Sequence, residues 1–287
     1  MRDWLKLAGA FVREVFDEWS KDDALSLGAA LAYYTIFSMA PLLVLVIAIA
    51  GLVFGRAAAE GQIVTQIQDA IGPAGAKTIE EMIARASRPA SGVTATVVSL
   101  ATMVFGASGV FGQLQSSLNK IWDVHDKRRR GLQGQLRKRA LAFSMILLSG
   151  FLLFLSLAAS TALSAVHGFI NQRFPLLGPA LPLANFALSF AVITVLFAMI
   201  LKMLPEVNIE WSDVWLGALV TSLLFSIGKA LIGVYLGRAG VTSVYGAAGS
   251  LVLVLLWIYY SAQLLFLGAE FTEVYSRRFG SRKGVAE

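Results

Sequence analysis

The sequence has no cysteine and only two histidines, His125 and His167. The first absence excludes disulfides and thiolate chemistry. The second leaves little from which to build a hydrolytic metal centre, which needs several His and carboxylates converging on one or two ions. Charge is scarce too, at 15% of residues against 57% hydrophobic, where soluble domains run near 25% and about 45–50%. No Gly-x-x-x-x-Gly-Lys-Ser/Thr run occurs, so there is no phosphate cradle of the Walker type, and any energy for transport has to come from a gradient or a partner. Between Ala239 and Ala269 there is no Asp, Glu, Lys or Arg, a run longer than the roughly 20 residues that cross a bilayer core.

What is present is a series of such runs. The composition predicts an all-α polytopic membrane protein, with six transmembrane helices in one bundle over 24–275 and short amphipathic helices at the interfaces. The expected spans are Ala24 to Gly55, about Val93 to Gln115, Ala140 to about Val166, about Leu181 to Leu201, about Asp213 to Leu236, and the charge-free run ending near Ala269. Residues 1–23 place Trp4, Leu5, Ala8, Phe11, Val12, Val15, Phe16 and Trp19 at helical spacing against Arg2, Lys6, Arg13, Glu14, Asp17 and Glu18. This amphipathic helix suits both the headgroup region and the bundle's cytoplasmic face. Its charges predict that this stretch is not a cleaved signal peptide, which needs an apolar core there. Residues 56–92 read as an external loop of two short helices joined at Gly72-Pro73. A lid and a plain interfacial brace would show the same pattern.

Lys and Arg fall unevenly. Four precede the first span, eight lie between Lys120 and Arg139, one lies in the loop from Lys202 and four follow the sixth span; the opposite loops carry four, one and one. The positive-inside rule puts both termini, the basic loop at 119–139 and the tail at 276–287 in the cytoplasm. The asymmetry accounts for the net charge of +6 without nucleic acid. Lys127, Arg128, Arg129 and Arg130 would attract anionic headgroups, or serve only as an orienting signal.

Polar groups inside the spans are the candidate site. Stepping back from Glu270 by helical intervals gives Gln263 and Tyr259, so one face of an otherwise Leu and Val helix is polar and should point at protein. Lys229 lies within the fifth span, with Ala218, Ser222, Ser226 and Gly233 on its side, which predicts that it faces the bundle or snorkels outward. The two helices run in opposite directions, so Lys229 and Glu270 should not pair. Pro41 lies inside the first span and predicts a kink, structural or gating.

Four stretches stand out together: ALAYYTIFSMAPLLV, VFGASGVFGQLQSSLNKIWDV, LPEVNIEWSDVWLGALVTSLLFSIGKALIGVYL and YGAAGSLVLVLLWIYYSAQLLFLGAEFTEVYS. Over about Ala24 to Arg277 the chain resembles the YihY/BrkB family of bacterial inner-membrane proteins, formerly labelled ribonuclease BN. The resemblance implies a six-span inner-membrane protein with both ends cytoplasmic. It supplies no catalytic residues.

Ribonuclease chemistry fits the residues poorly. His125 and His167 are expected on opposite sides of the membrane, and His125 has Asp123 and Asp126 beside it but no nucleophile or phosphate cradle. The expectation is therefore a non-enzymatic protein without metal or cofactor. It would be a transporter, exporter or flippase-like protein for a lipid or amphiphilic anionic solute of the cell envelope, in contact with membrane lipids and open to homo-oligomer formation. Lys229 would hold the anionic group and Glu270, Gln263 and Tyr259 would line the inner entrance. The alternative is a scaffold for envelope assembly that binds its partner through the basic loop and amphipathic helices.

Overall fold

In the computed structural model the residues described are 2–86, 109–124, 144, 180–238 and 249–283. Among them every regular element is helical: α1 (Arg2–Lys21), α2 (Ala24–Phe54), α3 (Arg56–Ala86), α4 (109–121), α5 (Ala180–Met203), α6 (Trp211–Arg238) and α7 (Gly249–Arg278). Segments Leu183–Met203, Trp211–Ile232 and Gly249–Arg278 are long and apolar enough to cross a membrane, and Ala24–Ala40 is a shorter apolar stretch. The third expected span, most of the second, Lys127, Arg128, Arg129, Arg130 and both histidines lie outside the described residues.

These helices begin and end where charge and backbone chemistry predict. A left-handed Asp23 (φ 56°, ψ 45°) turns the chain from α1 into α2, a conformation that Asp tolerates better than most residues. The Arg56–Ala86 run bends at Gly72 (φ 79°, ψ 172°), so it is two helices meeting at the Gly-Pro step. α2 carries Pro41 within one helix.

α7 is the central element, packing against α6, α2, α1 and α3. Two apolar clusters meet on it. Ala262, Leu265, Phe266 and Ala269 join Ala24 and Leu31 of α2, Leu114, Leu118 and Ile121 of α4, Leu201 of α5, and Val214 and Ala218 of α6. Further along, Val254 and Ile258 join Ala32, Ile36 and Ile47 of α2 with Ile79 and Ile83 of α3. Burying a Leu, Ile or Phe withdraws enough surface for about 1.5–3 kcal/mol in water. Within lipid that driving force is absent, and close packing has to supply the attraction.

The α6–α7 contact shows how. Gly217 lies against Thr272, and Gly268 lies against Thr221; a Cβ on either glycine would sit 2.8 Å from the opposing Thr Cβ. Each Thr hydroxyl donates back to the carbonyl of the glycine four residues earlier, both at 2.7 Å. The same Gly-x-x-x-Thr unit thus occurs on both helices and interlocks with its antiparallel copy.

Candidate functional site

The polar face of α7 does point at protein. Glu270 is only 1% exposed, and its Oε1 has no hydrogen-bond partner. Gln263 donates from Nε2 to the Ala24 carbonyl at 3.2 Å, across the start of α2, while its Oε1 is buried and unpartnered. Gly28 makes room for this contact: a Cβ there would meet the Gln263 carboxamide and approach Tyr259 at 3.5 Å. Tyr259 is half-buried. Gln263 and Tyr259 therefore line the α2–α7 seam, and Glu270 lies two turns beyond Gln263 toward the α1–α2 corner.

That corner is built of charge. Arg277 of α7 reaches Glu14 at 3.1 Å, Glu18 at 3.2 Å and Glu273 at 3.4 Å, and Arg278 also pairs with Glu14. Phe11 packs edge-on against Phe271 with centroids 5.2 Å apart. Lys120, at the end of α4, donates to the Asp22 carbonyl. Lys21 donates to Glu18 at 2.9 Å and holds that carboxyl below its ordinary value of 4.5; the same bond raises Lys21. Asp22 is shifted the other way, above 3.8, because burial disfavours its charge and Asp123 adds repulsion. Charged groups closing over Glu270 are thus clamped from three helices, and the α1 end of the bundle is tightly packed.

Next to it the chain returns on itself. Asp213, in the first turn of α6, accepts from Ser281 N at 2.8 Å and Ser281 Oγ at 2.7 Å. Gly280 fits only because it has no side chain, since a Cβ would lie 2.6 Å from Asp213 Cγ. Arg282 stacks over Trp122, 5.5 Å from the ring centre.

Facing the bundle and snorkelling outward are both open to Lys229 by sequence, and the structure has it exposed. Ala218 and Ser222 on its side of α6 are fully buried, yet Lys229 is exposed. Helical period fixes the side of a helix but not whether neighbours stay close along its whole length. Gly217 opposite Thr272 and Gly228 opposite Tyr260 set the α6–α7 register. Lys229 is accordingly level with Tyr259 and Tyr260, about 15 Å along the axis from Glu270, and no ion pair joins the two.

The apolar face of α1, which suits both packing on the bundle and exposure, divides between the two. Val15 is buried, and Phe11 and Trp19 are partly buried toward the bundle, while Val12 and Phe16 are exposed. Reading α1 from its own sequence missed the Arg277 clamp because the partner charges lie some 260 residues away. The Gly-x-x-x-Thr pairing had a visible signal in its repeated spacing.

Helices of this length and apolarity, with polar groups turned inward, define a helical membrane protein. The chain belongs to the family described as Virulence factor BrkB, which matches residues 15–287. It is similar to a UPF0761 membrane protein of Alkalilimnicola ehrlichii, 26% identical over 272 residues, covering 94% of this chain and 59% of that protein. UPF0761 membrane proteins of Photobacterium profundum and Legionella pneumophila are each 27% identical, over 262 and 277 residues, covering 88% and 96% of this chain and 76% and 64% of theirs. The chain thus spans about three-fifths to three-quarters of these relatives. No solved structure matches.

Proposed function

We propose that this is a six-span transporter, exporter or flippase-like protein of the bacterial inner membrane, with both termini cytoplasmic, moving a lipid or amphiphilic anion. The observation that carries the reading is the change along one stripe of α6: Ala218 and Ser222 are sealed at the α1 end, and Lys229 on the same side is open. A stripe buried at one end and exposed at the other, with a cation at its exposed end and an unpartnered acid beyond its buried end, fits one half of an alternating-access cycle. In this reading Lys229 receives the anionic group, and Tyr259 and Gln263 line the seam. Glu270 exchanges a proton as the clamped corner of Glu14, Glu18 and Arg277 opens.

Mass spectrometry of the molecules retained by the gently purified protein tests this, beside Lys229→Met and Glu270→Gln. A species enriched over bulk membrane lipid and lost in Lys229→Met is the expected result. Bulk lipids alone, in membrane proportions and unchanged by either substitution, would overturn it and leave the scaffold role.

A further inference from the structure

The divided face of α1 is unused by the path just described. Around the helix three sectors are distinct. Glu14, Val15, Glu18 and Trp19 face the bundle; Val12 and Phe16, each 52% exposed, lie about 100° further round; Lys6, Arg13 and Asp17 take the remaining side and are exposed. A polar helix lying in water gains nothing from an open Val-Phe stripe, and the bundle already occupies the adjoining sector.

The level of the helix is fixed by contacts at the adjoining ends of α7 and α6. Phe11 touches Phe279, with centroids 6.0 Å apart, and Ser281, two residues on, is bonded to Asp213 in the first turn of α6. In that same turn Trp211 is exposed, with exposed Trp215 one turn on, and exposed Trp at the end of a span marks the headgroup zone. Leu25, which starts the apolar α2 beside the corner, is exposed as well. α1 therefore lies at the depth where lipid headgroups meet acyl chains.

From this placement we infer that α1 is an in-plane anchor for an anionic membrane surface, its Val12 and Phe16 stripe seated among lipid acyl chains and Lys6 and Arg13 reaching the headgroups. The Arg13 side chain is 84% exposed and only loosely paired to Asp17 at 3.6 Å, so it is free to exchange that partner for a phosphate. Long basic side chains flanking an apolar stripe suit this arrangement. The clamp from Arg277 and Arg278 then joins the anchored helix to the central span.

Because the chain has no cysteine, single substitutions Val12→Cys, Phe16→Cys and Asp17→Cys in the full chain can carry an environment-sensitive fluorophore. The labelled proteins are reconstituted in phosphatidylcholine vesicles with and without phosphatidylglycerol. Labels at 12 and 16 should be quenched several-fold more by spin-labelled lipid than the label at 17, which should stay open to iodide. Phosphatidylglycerol should deepen the lipid quenching, and Lys6→Gln with Arg13→Gln should abolish that increment. Iodide access at 12 and 16 equal to that at 17 would overturn the anchor. So would shielding of 12 and 16 from both quenchers, since a protein surface would then cover the stripe. Lipid quenching indifferent to phosphatidylglycerol and to the double substitution would overturn the choice of an anionic surface.

Discussion

Glu18 and Asp22 lie one turn apart at the same corner, and their environments push them in opposite directions. The hydrogen bond from Lys21, helped by Arg277, favours ionised Glu18. Its stabilisation is complete above the ordinary value of 4.5 and is lost as pH falls through the depressed native value. Burial disfavours ionised Asp22, so its cost is absent below 3.8 and is complete once pH exceeds the raised native value. At pH 7, then, Glu18→Gln should lower the unfolding midpoint and Asp22→Asn should raise it. The Glu18 pair is partly solvated, which keeps its effect to about 1 kcal/mol or less, or about 2–4 °C in a chain of this size. Repeating the thermal melts in detergent at a pH below 3.8 should remove the Asp22→Asn gain. Equal signs for the two substitutions at pH 7 would show that the corner's charges are assigned wrongly.

At the scale of elements, the interlock between α6 and α7 fixes the register on which every vertical relation in the bundle depends. Overpacking a close-packed site typically costs about 1–3 kcal/mol. Gly217→Ala and Gly268→Ala should each destabilise by that order, because each methyl meets Thr carbon atoms within 2.9 Å. Thr272→Ala added to Gly217→Ala should restore part of the loss. It removes the hydroxyl and methyl while leaving a tight Cβ, and it should restore nothing to Gly268→Ala. A double-mutant cycle read by thermal melts decides this, and additive losses in the first pair would refute the contact. The helices themselves were largely legible in the sequence. Apolar runs located α2, α5 and α6 to within about two residues of their ends, the charge-free run ending near Ala269 stopped nine residues short of the end of α7, and Gly72-Pro73 located the bend in α3. Register was not legible, since Thr272 defines what Gly217 must be only once the two helices are side by side. The divided face of α1 was hidden for the same reason: period shows that Phe11 and Phe16 are both on the apolar side, but only the position of Phe271 and Phe279 separates them.

Across the whole molecule, the burial pattern makes Lys229 the decisive position. A Lys within the apolar interior costs roughly 2.5–3.5 kcal/mol unless it meets water, protein or headgroups, so its exposure has two physical explanations. Either the stripe it shares with Ser222 opens into an aqueous vestibule, or the long side chain bends outward to the headgroups from a backbone surrounded by lipid. A cysteine separates them, because it is too short to bend away. In the otherwise cysteine-free chain, Lys229→Cys should react with a membrane-impermeant maleimide added from the side opposite α1. Ser222→Cys, about 10 Å deeper, should be unreactive from either side while the corner is clamped. Arg277→Gln, which removes the cation shared by Glu14, Glu18 and Glu273, should then raise the reactivity of Ser222→Cys from the α1 side and lower that of Lys229→Cys from the other. That reciprocal change is the signature of a path whose two ends are coupled. If Lys229→Cys reacts only with a lipid-soluble reagent, its backbone lies in hydrocarbon and no vestibule exists there. If both cysteines ignore Arg277→Gln, the clamp serves to hold α1 in place and does not gate the bundle.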